Sequence, residues 1–144
     1  MRQTTQTVLM VRPRHFGFNP ETAASNRFQQ SDVRLQADAA GLARQEFDAA
    51  VLALRSEGIR VVVAEDRPEP RCPDAVFPNN WISFHGRGAV VVYPMEAPTR
   101  RRERRRDVAE LVAAEVGFAI TRWVDLTAHE SANRFLEGTG SLVI

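Results

Sequence analysis

An α/β fold is predicted by three observations: β-branched runs of strand length, two amphipathic helical patterns each followed by such a run, and a glycine-bearing connection tight enough for a hairpin. The first run, Thr-Val-Leu-Met-Val-Arg at residues 7–12, is ended by Pro13, which has no N–H to give a ladder. Residues 14–36 are polar and irregular, and a connection of that length is a candidate functional loop. Ala43, Phe47, Ala50, Val51 and Leu54 then recur at helical spacing, with Arg44, Glu46 and Arg55 off the stripe and Gly58 placed as a left-handed stop. Residues 59–64, Ile-Arg-Val-Val-Val-Ala, are the strand that follows, which completes a strand, helix, strand unit.

Residues 66–73 contain Pro68, Pro70 and Pro73 and form a loop. Residues 81–85 and 89–93 flank Gly86-Arg87-Gly88 and predict a β-hairpin closed by Pro94. Pro98-Thr99 opens a second helix whose buried stripe is Val108, Leu111, Val112 and Val116, with Gly117 as its stop and residues 118–124 as the next strand. A last β-prone run, residues 141–144, has no turn or polar tail after it. Together with the repeated strand–helix–strand sets, this predicts a cut through a larger fold.

A chain of 144 residues predicts one domain with a true core. Its 44% hydrophobic and 26% charged residues, with no apolar run near the roughly 18 residues that span a bilayer, predict a soluble protein away from the membrane. Residues 1–7 lack the basic-then-apolar layout of a secretory signal, so the expected location is cytoplasmic. The single cysteine, Cys72, excludes an internal disulfide and a thiolate metal cluster. All 19 basic residues are arginine, which we read as composition bias. Residues 100–106 carry six guanidinium groups around Glu103, but the net charge is +1 and no aromatic interrupts the run. We therefore expect carboxylate partners there and no nucleic acid.

Two stretches carry chemistry. Residues 73–81, Pro-Asp-Ala-Val-Phe-Pro-Asn-Asn-Trp, set polar groups beside aromatics at a strand entrance; taken alone they also fit an Asx-rich turn. In residues 135–140, Phe-Leu-Glu-Gly-Thr-Gly, Glu137 lies between apolar residues and two glycines. Glycine permits close approach of backbone or ligand, and a carboxylate in such a pinched place is suited to proton transfer; alone it also fits a surface glutamate before a turn.

Taken together, Asp-Ala-Val-Phe-Pro-Asn-Asn-Trp, the hairpin, Ala-Pro-Thr-Arg-Arg-Arg-Glu and Leu-Glu-Gly-Thr-Gly-Ser resemble, in that order, the pentein (amidinotransferase-like) superfamily, most closely its citrulline-utilisation hydrolase and arginine deiminase-related branch. Val11-Arg12-Pro13, Phe16-Gly17-Phe18-Asn19 and residues 22–29 are similar to the opening of that branch, so the resemblance spans essentially the whole chain. It implies part of an α/β propeller, about two ββαβ-type blades and the start of a third, with residues 1–144 as the N-terminal portion of the catalytic domain. The implied reaction proceeds at a guanidino or ureido carbon through a cysteine, a histidine and a glutamate, with no metal or organic cofactor.

By residue, the resemblance places Glu137 on the acid/base glutamate, and Asp74, with Phe77 beside it, in the substrate site. Asn79 and Asn80 fall on an adjacent acidic pair near the guanidinium, and Arg100 on the arginine that grips a substrate α-carboxylate. The Asn79-Asn80 departure points to a neutral, citrulline-like substrate, because an amide can donate to a ureido carbonyl, or to a guanidino compound held mainly by Asp74. The family's cysteine and histidine follow the glutamate, so Cys72, His15, His85 and His129 are expected to be structural and the chain alone inactive. The alternative is a truncated non-catalytic pseudoenzyme, or half of a split enzyme acting by pairing. Partners on either reading are a guanidino or ureido amino acid and a second copy or C-terminal half.

Overall fold

The computed structural model describes residues 5–23 and 38–138. The predicted strand at 141–144, and most of the loop at 14–36, lie outside them. The chain divides into two compact units, Met1–Val76 and Phe77–Ile144.

The first unit is the predicted strand, helix, strand unit. Strand β1 (Thr7–Arg12) pairs in parallel with β2 (Arg60–Glu65), in a register that sets Val8 beside Val61 and Met10 beside Val63. Those four residues face the helix α1 (Ala39–Ser56), where Phe47 and Val51, four residues apart, complete the core with Leu54, Ile59 and Val76 around them. The opposite sheet face carries Val11, Val62 and Ala64, which are buried too. Burial on both faces is why β2 reads as an unbroken Val-Val-Val-Ala run rather than an alternating one. Helix α1 ends where expected: Gly58 is left-handed, and Ile59 N–H returns to Leu54 O at 3.1 Å. One expectation fails along α1, since Ala50 is exposed. The helix is narrower in its buried face than five matching positions implied, because small Ala50 sits at the edge of the stripe.

The second unit has the ββαβ order that the resemblance implies. Strands β3 (Ile82–His85) and β4 (Ala89–Val92) form the antiparallel hairpin, and β5 (Arg122–Asp125) adds in parallel to β4, giving the order β3-β4-β5. The hairpin turn is tight because Gly88 has φ +80° and lies against the chain after the second helix. A Cβ there would stand 2.1 Å from Ala119 O and 2.8 Å from Thr121 Oγ1.

Two helical expectations are corrected. The second helix is interrupted: α2 (Pro98–Arg101) and α3 (Arg106–Val116) are separate. Arg105 is extended, with φ −139°. Buried Glu103 bonds to Arg100, and half-buried Arg104 pairs with Glu130, so the intervening side chains are held by partners that a continuous helix would have to abandon. In α3 the buried residues are Val108, Ala109 and Val112, whereas Leu111 and Val116 are only partly covered. The strand expected over 118–124 also shrinks to β5, because Phe118 leaves the ladder to pack edge-on against Phe84, with ring centres 5.6 Å apart. Both sheets are small and neither closes, so the α/β class is established by the strands and helices themselves.

Candidate functional site

In the first unit the chain after β2 passes through a proline-rich loop to Asp74, which is 6% exposed. Asn19, 1% exposed, donates from Nδ2 to Asp74 Oδ2 at 2.7 Å. Thr22 Oγ1 lies 3.5 Å from the same oxygen. Asp74 Oδ1 accepts no hydrogen bond from a described residue, so a buried carboxylate is saturated on one side and open on the other. Oδ1 has the lone pairs to accept from an N–H donor. Nearby in sequence, Asp66 is occupied by the backbone N–H groups of Arg14 and Arg67 and serves to fasten the loops. His15 meets Pro68 O at 2.8 Å, and Cys72 is buried with Sγ 3.4 Å from Pro70 O.

In the second unit Arg100 is the hub. It is 5% exposed, and its guanidinium is fully engaged. Nε and Nη2 donate to the two oxygens of Glu103 at 3.2 and 3.1 Å, Nη2 reaches Phe77 O at 3.4 Å, and Nη1 reaches Glu137 Oε2 at 3.3 Å. The Asn80 carboxamide completes the set. The end of that amide beside Arg100 lies 2.6 Å from Nη1 and 3.2 Å from Nη2, and two donors that close require the oxygen there. Its other end lies 2.9 Å from the Asn79 carboxamide.

The two carboxylates on Arg100 differ in kind. The Glu103 side chain is 1% exposed and bidentate, whereas that of Glu137 is 31% exposed and holds the guanidinium by one bond. Glu137 is otherwise tethered by Glu96 N–H, at 3.4 Å from Oε1. It reaches this place because the segment that carries it is pressed onto the 3₁₀ turn Pro78–Asn80: a Cβ on Gly138 would stand 1.9 Å from Asn79 O. Leu136 N–H fixes the same segment to Pro94 O at 3.0 Å. Phe77, 45% exposed, stands at the entrance of that turn.

Among the described residues, the remaining arginines of the run other than Arg102 have carboxylate or aromatic partners. Arg101 and Arg104 both pair with Glu130, Arg105 with Asp107, and Arg106 with Glu110 while stacking over Trp123 at 4.7 Å. Arg102 is exposed. Burial alone would push the Glu130 carboxyl up, but the Arg104 hydrogen bond, the Met95 N–H and the charges of Arg104 and Arg101 hold it below the ordinary glutamate value. Asp125 is lowered by hydrogen bonds from the side chain and N–H of Thr127. Among the described residues no group of three or more His, Cys, Asp or Glu is placed to hold a metal ion, and no helix is long and apolar enough to cross a membrane.

The structure therefore gathers Phe77, Asn79, Asn80, Arg100 and Glu137 in one cluster of the second unit, while Asp74 belongs to a cluster of the first. Sequence reasoning missed Asn19, Glu103 and Glu130. Asn19 lay inside the Phe-Gly-Phe-Asn motif without a role, Glu103 stood within the arginine run without one, and nothing in its sequence neighbourhood singled out Glu130.

A family model described as N,N dimethylarginine dimethylhydrolase, eukaryotic, matches residues 12–144. The chain belongs to this family. The dimethylarginine dimethylhydrolases are penteins, so the superfamily expected from the motifs holds, and the family is one of hydrolases acting on an arginine derivative. No match was found among curated proteins or among solved structures.

Proposed function

We propose that this chain carries substrate-handling residues of a hydrolase or amidinotransferase that acts on a guanidino or ureido amino acid, arginine- or citrulline-like. The observation that carries the reading is the open oxygen of buried Asp74, the acceptor that an N–H of a guanidinium or ureido group needs, in a member of the dimethylarginine dimethylhydrolase family. Glu137 is the group for proton transfer. It is the partly exposed carboxylate of its cluster, and its single bond to Arg100 leaves it free to exchange partners. Arg100 takes the substrate α-carboxylate only if Glu137 gives up its place at Nη1, while Glu103 keeps the rest of the guanidinium in place. Asn79 and Asn80 replace charged groups by neutral ones, which favours a ureido ligand over a cation, and Phe77 offers an exposed ring to the aliphatic part.

The nucleophile is a thiol other than Cys72, which is buried with its sulfur on a backbone carbonyl. Without it no covalent amidino intermediate forms, so the 144-residue chain is expected to show no turnover of arginine, dimethylarginine or citrulline. Calorimetric titration of the enzyme with arginine and citrulline tests the substrate class. Tighter binding of citrulline supports the neutral-ligand reading, and clear preference for arginine overturns it.

A further inference from the structure

We propose that Asn19 is a positioning residue for ligand recognition: it locks the Asp74 carboxylate in plane, by one neutral hydrogen bond, so that Oδ1 faces the ligand. The inference rests on the reading of Asp74 given above and deepens it. Its basis is the way Asn19 is itself fixed. Its Oδ1 accepts from Glu21 N–H at 3.1 Å, which leaves Nδ2 as the end directed at Asp74 Oδ2, 2.7 Å away. Its main-chain carbonyl accepts from the N–H groups of Thr22 and Ala23 at 3.2 and 3.0 Å, so the residue heads a turn rather than swinging on a free loop. At 1% exposure it has no room for another rotamer.

A carboxylate has two oxygens in one plane, and fixing Oδ2 fixes the direction of the lone pairs on Oδ1. The chemistry of the anchor matters as much as its place. An arginine or lysine at residue 19 would neutralise Asp74 and compete with an incoming guanidinium; a carboxamide holds it without charge. Thr22 Oγ1 cannot replace it, because its one hydrogen is shared between Asp74 Oδ2 at 3.5 Å and Asn19 O at 3.3 Å.

The test uses the full chain, with binding of arginine, dimethylarginine and citrulline followed by two-dimensional NMR at millimolar ligand. Asn19→Asp keeps the shape and removes the donor. Its affinity for citrulline is expected to fall about tenfold at neutral pH and to recover as the pH is lowered, once a proton held between the two carboxyl groups restores the bond. The parent chain shows no such recovery. Asn19→Ala weakens binding at every pH, and should it fail to fold, the isosteric variant still decides. Asp74→Asn separates the two claims. If it binds all three ligands as the parent does, or if the parent binds none of them, the reading of Asp74 fails and takes this inference with it. If it abolishes binding while Asn19→Asp keeps parental affinity, or loses affinity without recovery at low pH, Asn19 is only structural and the inference alone is overturned.

Discussion

A buried ion pair is stabilising only while both members are present, and Arg100 with Glu103 meets that condition severely, at 6% and 1% side-chain exposure. Arg100→Met is therefore expected to cost about 3–5 kcal/mol, because it takes a bidentate guanidinium away from the buried Glu103 carboxylate. Urea denaturation checks this, and a loss under 1 kcal/mol would mean that Glu103 finds water or another donor. Gly138→Ala should cost about 1–3 kcal/mol, the usual penalty of overpacking, because its methyl meets the Asn79 backbone rather than a flexible side-chain end. At this scale the sequence was legible wherever the residue type itself carries the constraint. A glycine after Glu137 announced a close approach, and the approach is there. Asn19 and Glu103 were not legible, because their importance comes from partners: one lies 55 positions along the chain, and the other is one arginine among six, any of which could have been the pair.

Elements were readable when their periodicity was decided locally. Helix α1 follows from Phe47 and Val51, and the hairpin from a glycine connection between two β-prone runs, with no help from the rest of the fold. The boundary between α2 and α3 was not readable: six arginines have good helix propensity, and what breaks the helix is the demand of Glu130 for Arg104 and of Arg100 for Glu103. β5 is shorter than its β-prone sequence for the same kind of reason, since Phe118 has a ring to pack on and Thr121 Oγ1 bonds Arg87 O at 2.7 Å. That junction supplies a prediction for an element. Gly88→Ala places a methyl against Ala119 O at a left-handed φ, so it should cost at least about 2 kcal/mol and loosen the hairpin from the approach to β5. Hydrogen exchange would show it as faster exchange of the Thr121 amide, which now donates to Gly88 O at 2.9 Å.

For the molecule as a whole, electrostatics sets how stability responds to acid. Asp48, Asp125 and Glu130 all have carboxyl groups lowered in the fold, Asp48 chiefly by its hydrogen bonds from Arg12. A carboxyl lowered by folding contributes stability that is complete above its unfolded value, here 3.8 for aspartate and 4.5 for glutamate, and that is lost as pH falls through the folded value. Arg12 is raised, by the same Asp48 hydrogen bonds, so its contribution is complete at acid and neutral pH and plays no part in the acid limb. The melting temperature should thus change little between about pH 7 and 5 and fall below about pH 4. The three groups are not equal. Arg12 and Asp48 form a surface pair that salt screens, so Asp48→Asn should matter little and not at all in about 1 M salt. Glu130 is mostly covered and ties Arg101, Arg104 and Met95 N–H to the turn that follows β5, so Glu130→Gln should lower stability at neutral pH with or without salt. Linkage adds a sharper requirement: the gap between Glu130→Gln and the parent must narrow as pH falls below 4.5 toward the pH at which the folded carboxyl is itself protonated, because the parent then carries a neutral carboxyl as well. A gap that stays constant down to that pH would show that shape at residue 130, and not its charge, holds the arginine run in place.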